Sequence, residues 1–144
     1  MATASVIAVV TGLGLGACES TDPIPTPSPS QVIGTWTHGN TSLEFDQDGA
    51  FLITNIPTGV IEQRAIAAGG SPVGPNVDVS GSWHIGSGGN DVGGAPGVQL
   101  DFVHPARVGP NTGLTLVVSG NYPPKLFVYL GNPDTRVQYA FTKH

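Results

Sequence analysis

Only one residue in 144 is a cysteine, Cys18, and only five are basic. A lone cysteine has no internal disulfide partner, so no cross-linked scaffold holds this chain together. Arg64, Arg107, Lys125, Arg136 and Lys143 are scattered among ten acidic residues, for a formal net charge of -5. Nucleic-acid binding needs a positive stripe to neutralise phosphates; none is present, so no nucleic-acid partner is expected. The same shortage removes electrostatic docking on anionic lipid. Charged residues make up 10% of the chain, against roughly 25% in ordinary soluble domains. No apolar run approaches the roughly 20 residues that span a bilayer. With 21 glycines and 13 prolines, long helices are disfavoured, since an interior Gly costs about 1 kcal/mol relative to Ala and an interior Pro about 3.

What is present falls into three parts: residues 1–17, 18–31 and 32–144. In the first, Val6 to Ala17 is a run of mostly small or apolar residues. Its length is that of a signal-peptide apolar region, usually about 7–15 residues. Met1 to Ser5 carries none of the Lys or Arg that usually precede such a run. The run ends in Leu15-Gly16-Ala17-Cys18. This quartet resembles the bacterial lipobox. The resemblance implies that Leu15, Gly16 and Ala17 are read by a signal peptidase and that Cys18 receives diacylglycerol and a further palmitate-type acyl chain. The chain is then expected to be an exported lipoprotein, held at the cell membrane by lipid on Cys18 and facing away from the cytoplasm. Each buried CH₂ contributes about 0.8 kcal/mol, and two or more chains give stable anchoring. The competing reading of Cys18 is a buried structural thiol, which sits awkwardly before a polar Pro-rich stretch.

The second part reads ESTDPIPTPSPSQ after the cysteine, with Pro23, Pro25, Pro27 and Pro29 alternating with small or polar residues. Proline fixes φ and biases its predecessor toward extended backbone. Residues 18–31 are therefore expected to be a lipidated cysteine and a disordered, extended spacer; a Pro-rich recognition ligand is the other reading.

From Val32 onward, short runs of period two are separated by Gly, Asn, Asp and Pro. Val32–Thr37, Thr41–Phe45, Ala50–Asn55, Val77–Ile85, Val98–Val103, Leu114–Val118, Lys125–Leu130 and Arg136–Thr142 read as strands. Asp46-Gln47-Asp48-Gly49 reads as a hairpin turn, with a calcium loop as the weaker alternative because the EF-hand spacing and flanking helices are missing. Leu114–Val118 is nearly continuous apolar and is expected to be buried on both faces. Ile56–Ala68 reads either as a helical turn or two closing an end, or as a strand. With about eight strands and no repeating βα pattern, the expected fold is all-β: a small antiparallel meander barrel, with a two-sheet sandwich as alternative. Residues 32–144 form this single domain.

A short internal echo runs through it. Gly34-Thr35-Trp36 is matched by Gly81-Ser82-Trp83, and Leu43-Glu44-Phe45 by Leu100-Asp101-Phe102. The Gly-x-Trp start resembles the opening of lipocalins and lipocalin-like bacterial domains. The sequence departs from true lipocalins in lacking their later loop signature and a C-terminal helix. Together with the Asp-Gly turn and the Tyr129–Asp134 segment, the layout resembles small uncharacterised lipoproteins of high-GC Gram-positive bacteria. That resemblance implies location and fold. Trp36, Trp83, Phe51, Phe102 and Tyr139 are the large side chains expected either to fill the core or to line a cavity.

Nothing in the sequence assembles a nucleophile, a base and an orienting group, so no enzyme, metal or cofactor is expected. His38 and His84 follow the two Gly-x-Trp units and are expected at matching ends of the barrel; His104 follows Asp101 at a spacing of three, which is not a same-face spacing on a strand. Gly86–Gly94 lacks the Lys-Ser/Thr of a phosphate loop and reads as a solvent loop or a lid. The expected function is non-catalytic: a monomeric envelope module that binds a small apolar ligand or a protein partner. The alternative is a structural or inhibitory envelope protein that acts through its surface and has no cavity.

Overall fold

The computed structural model describes residues 26–64, 71–87, 96–119 and 124–144. Each period-two run forms a strand: β1 (Gly34–His38), β2 (Thr41–Phe45), β3 (Ala50–Pro57), β4 (Asn76–Ser87), β5 (Pro96–His104), β6 (Gly113–Val118), β7 (Lys125–Tyr129) and β8 (Gln138–Lys143). Each pairs antiparallel with the next, and β8 returns to β1 through Trp36 opposite Lys143 and Thr37 opposite Thr142. The result is a closed eight-stranded barrel, not a sandwich. Among the described residues, closure leaves no edge strand with a free side to template aggregation.

The internal echo is a repeat of register. In the β1–β2 hairpin Gly34 lies opposite Phe45 and Trp36 opposite Leu43. In β4–β5 Gly81 lies opposite Phe102 and Trp83 opposite Leu100. Each pairing puts a tryptophan beside a leucine and sets a glycine, which offers no side chain, across from a phenylalanine.

The inward set is apolar and fully enclosed. Leu43, Ile53, Ile56, Val79, Val98, Leu116, Leu126 and Phe141 all have 0% of their surface exposed. Burying such a side chain contributes roughly 1.5–3 kcal/mol, so this layer dominates the folding free energy. β6 is also buried on its outer side at Val117, while the outward Thr115 is half-buried. Val117 is paired with Phe127 of β7, and both are buried although neither belongs to the interior cluster. Phe127 meets Tyr129 edge-on at 5.2 Å between ring centroids.

Both barrel ends carry plugs. At one end a helical turn, α1 (Pro29–Val32), precedes β1. The Trp36 indole N–H donates to the Val32 carbonyl at 2.7 Å. The Lys143 ammonium donates to the Gln31 carbonyl at 2.8 Å and lies 5.4 Å from the Trp36 ring centroid. Cation and indole, themselves in contact range, thus hold the end of α1 through two neighbouring carbonyls. At the other end α2 (Thr58–Ile61) places Val60 and Ile61 in the core. The Ile61 carbonyl accepts from the Asn111 side chain at 2.7 Å, and the Gln63 carbonyl accepts from the Gly131 N–H at 2.8 Å. Of the two readings of Ile56–Ala68, the helical plug is the one found for Thr58–Ile61; residues 65–68 lie outside the described residues.

One boundary differs from the sequence reading. The stretch assigned to an extended spacer through Gln31 is folded at its end. Pro27 is buried, Pro29–Val32 is helical, and the Gln31 side chain accepts from the Ser28 N–H at 2.8 Å. Proline at the first helical position gives up an N–H that has no intrahelical partner anyway, so a Pro-rich segment here starts a helical turn.

Candidate functional site

Two surfaces are open to function: the barrel interior and its outer wall. Around the described inward-facing side chains the interior is closely packed. A void large enough for water would leave accessible surface on the side chains around it, yet the eight residues named above expose none. Of the aromatic positions singled out in the sequence, Trp36, Phe51, Phe102 and Tyr139 are buried in that core, with Phe51 and Phe102 6.4 Å apart between centroids. Trp83 is half-buried at the rim. Its indole N–H donates to the Asp46 carbonyl at 3.1 Å, and its ring meets Phe45 edge-on at 5.3 Å. The Tyr139 hydroxyl shares a 2.7 Å hydrogen bond with Thr41, whose own hydroxyl donates to the Asn55 carbonyl. Burial pushes the phenol pKa above its usual 10.0, and the Thr41 hydrogen bond opposes that shift in part. Among the described residues, no buried side-chain nitrogen or oxygen lacks a partner.

Leu15, Gly16, Ala17 and Cys18 lie outside the described residues, as does most of the Gly-rich loop. Asp46–Gly49 is a hairpin turn: Asp46 N–H donates to the Ala50 carbonyl at 2.9 Å, and Gly49 takes a φ of 87° that favours glycine. The histidines do not occupy matching positions. His38 is two residues after Trp36 and shares its face, at the barrel rim, with its ring 3.8 Å from Tyr139 and its Nδ1–H donating to the Ala140 carbonyl at 2.7 Å. His84 is one residue after Trp83, so the period of two turns it outward, 3.6 Å from the Asp101 carboxylate. His104 lies opposite Ser80. Among the described residues no three His, Cys, Asp or Glu side chains converge as a metal site would require.

The outer wall carries a feature that the strand pattern did not reveal. Between Ser80 and Gly81 the β4–β5 register shifts. A side chain at Gly81 would overlap the Asp101 backbone carbonyl and press on the Phe51 ring edge at 3.0 Å. The wall is dented here into an open groove of about 430 Å³, floored by Ser80, Gly81 and Ser82 and flanked by Asp48, Val103 and His104. The only sign in the sequence is a glycine within a strand, which often marks a bulge.

Fold and site together define a closed eight-stranded antiparallel barrel with an apolar core and a groove on its outer wall. The chain matches no protein-family model, no curated protein and no solved structure. Among the described residues no helix is long and apolar enough to cross a membrane.

Proposed function

We propose that this chain is an exported, lipid-anchored envelope protein whose barrel acts through its outer surface, without catalysis, on a protein partner. The enclosure of the core side chains supports the second half of this reading. With Leu43, Ile53, Leu116 and Phe141 at 0% exposure, a small apolar ligand would have to displace core side chains. This enclosure favours recognition, or a structural or inhibitory role, at the surface. The Leu15–Cys18 quartet carries the first half. Acyl chains on Cys18 would supply the membrane affinity that five scattered basic residues do not. The spacer would hold the barrel roughly 2–3 nm from the bilayer at about 3 Å per residue. The α1 end would face the membrane, because the chain enters the barrel there.

The test is expression of the full chain and of Cys18→Ser in a bacterial host supplied with alkyne-tagged palmitate. Wild type is expected to take up the label and partition into detergent; the variant is expected to do neither. A wild-type product that is soluble, unlabelled and still carries its apolar leader overturns the anchoring. Native mass spectrometry of the purified lipoprotein checks the surface reading, and a stoichiometric apolar ligand that survives gentle purification overturns it.

A further inference from the structure

The outer wall of β2, β3, β4 and β5 has a composition unlike the rest of the molecule. None of these four strands contains a lysine or arginine. The basic residues stand elsewhere: Arg64 after α2, Arg107 in the β5–β6 connection, Lys125 and Lys143 on β7 and β8, and Arg136 between them. The wall and its turn carry Glu44, Asp46, Asp48, Asp78 and Asp101, all exposed. None of Glu44, Asp46, Asp48 and Asp78 makes a salt bridge to a side chain among the described residues, and Asp101 faces only His84.

The same wall exposes apolar side chains. Leu52 is 43% exposed and Val103 is 54% exposed. One cross-strand row runs Glu44, Leu52, Ser80, His104, and the next runs Ala50, Ser82, Asp101. Leu52 on β3 and Val103 on β5 thus stand on either side of β4, whose small residues floor the groove. Strands two apart are separated by roughly 10 Å, a width that accepts one extended chain with its side chains. Gly81 contributes only backbone to the floor, and its close approach to the Asp101 carbonyl and the Phe51 ring leaves no room for a side chain.

We propose that this wall docks a basic, partly apolar segment of a protein partner. An aliphatic or aromatic side chain of that segment enters the groove between Ala50 and Val103, a neighbouring apolar side chain covers the exposed Leu52, and lysines or arginines on either side meet Glu44, Asp48 and Asp101. Charge complementarity selects this occupant. A second copy presenting the same wall would set acid against acid, since a two-fold contact pairs a patch with itself. The proposal rests on the surface-acting reading above and adds the face and the chemistry of the partner.

The experiment uses the full, ¹⁵N-labelled chain in detergent micelles. It is titrated with a soluble peptide carrying leucine flanked by lysines, with the same peptide bearing glutamates for lysines, and with one bearing serine for leucine. Only the first is expected to bind, with amide shifts on β3, β4 and β5 and with affinity falling as salt rises. Glu44→Lys and Leu52→Ser are each expected to weaken it roughly fivefold or more, while Lys125→Glu on another strand leaves it unchanged. Both sites are exposed, so folding is preserved and is checked by an unchanged amide spectrum. Equal binding of the glutamate peptide, or no effect of Leu52→Ser, overturns the proposal. Shifts confined to β6–β8 overturn the choice of wall and leave the surface-acting reading standing. Dimerisation through the β2–β5 wall overturns the partner chemistry.

Discussion

Leu43→Ala puts a magnitude on the packing of the core. Leu43 is fully buried on β2, between its cross-strand partners Trp36 on β1 and Ile53 on β3. The substitution removes three carbons, worth about 2.4 kcal/mol at about 0.8 kcal/mol each. Neighbours fixed in a closed barrel relax little, so a cavity term adds to this, and the expected loss is about 3–4 kcal/mol. For a domain of this size each kcal/mol lowers Tm by about 4 °C, which gives a drop of about 12–16 °C. In urea the midpoint is expected to fall by about 2 M with an unchanged slope, followed by the fluorescence of Trp36 and Trp83. The variant is also expected to take up xenon at the new void, where wild type takes up none. A loss below about 1 kcal/mol, or xenon bound equally by both proteins, would mean that Leu43 already borders empty space, and the case against an internal ligand would fall with it.

Gly81→Ala is expected to destabilise by about 2–3 kcal/mol, because the added methyl meets the Asp101 backbone and no rotamer change can move it aside; a melting temperature within 2–3 °C of wild type, on the order of 0.5 kcal/mol, would show that the bulge is soft. For Tyr139 the neutral phenol is the form the fold prefers. Its folded pKa lies above the unfolded value, so its contribution is complete below about pH 10 and is lost as pH rises through the folded pKa. Tyr139→Phe is expected to cost about 1 kcal/mol at neutral pH through the lost Thr41 hydrogen bond and to flatten the decline in stability above pH 10. Urea midpoints measured from pH 7 to 11 check both, and an alkaline decline equally steep in the variant would remove Tyr139 as its source.

The strands were legible because half-buried strands impose a period of two. Leu43 and Phe45 alternate with Ser42 and Glu44, and Val98, Leu100 and Phe102 with Gln99 and Asp101; the structure buries the apolar members of each set. The paired Gly-x-Trp and Leu-x-Phe units were legible as an echo, though their shared register appears only once the hairpins are formed. The histidines were misplaced for a simple reason. A one-residue offset from the tryptophan is small along the chain, but it reverses the face on a strand. The Pro-rich spacer hid its last turn because Pro29 fits the start of a helix as well as it fits an extended chain.

By itself the sequence determined strand identity, the absence of a basic stripe and the Leu15–Cys18 quartet, since each depends only on residue type and order along the chain. Barrel rather than sandwich, the enclosure of the described core side chains, and the groove over Gly81 were decided by tertiary structure. Alternation serves a sandwich as well as a barrel, and the choice is made by β8 meeting β1 across more than a hundred residues, Thr37 against Thr142. Whether eight inward faces fill the space they enclose depends on how closely side chains from distant strands interlock, and no local run of residues encodes that.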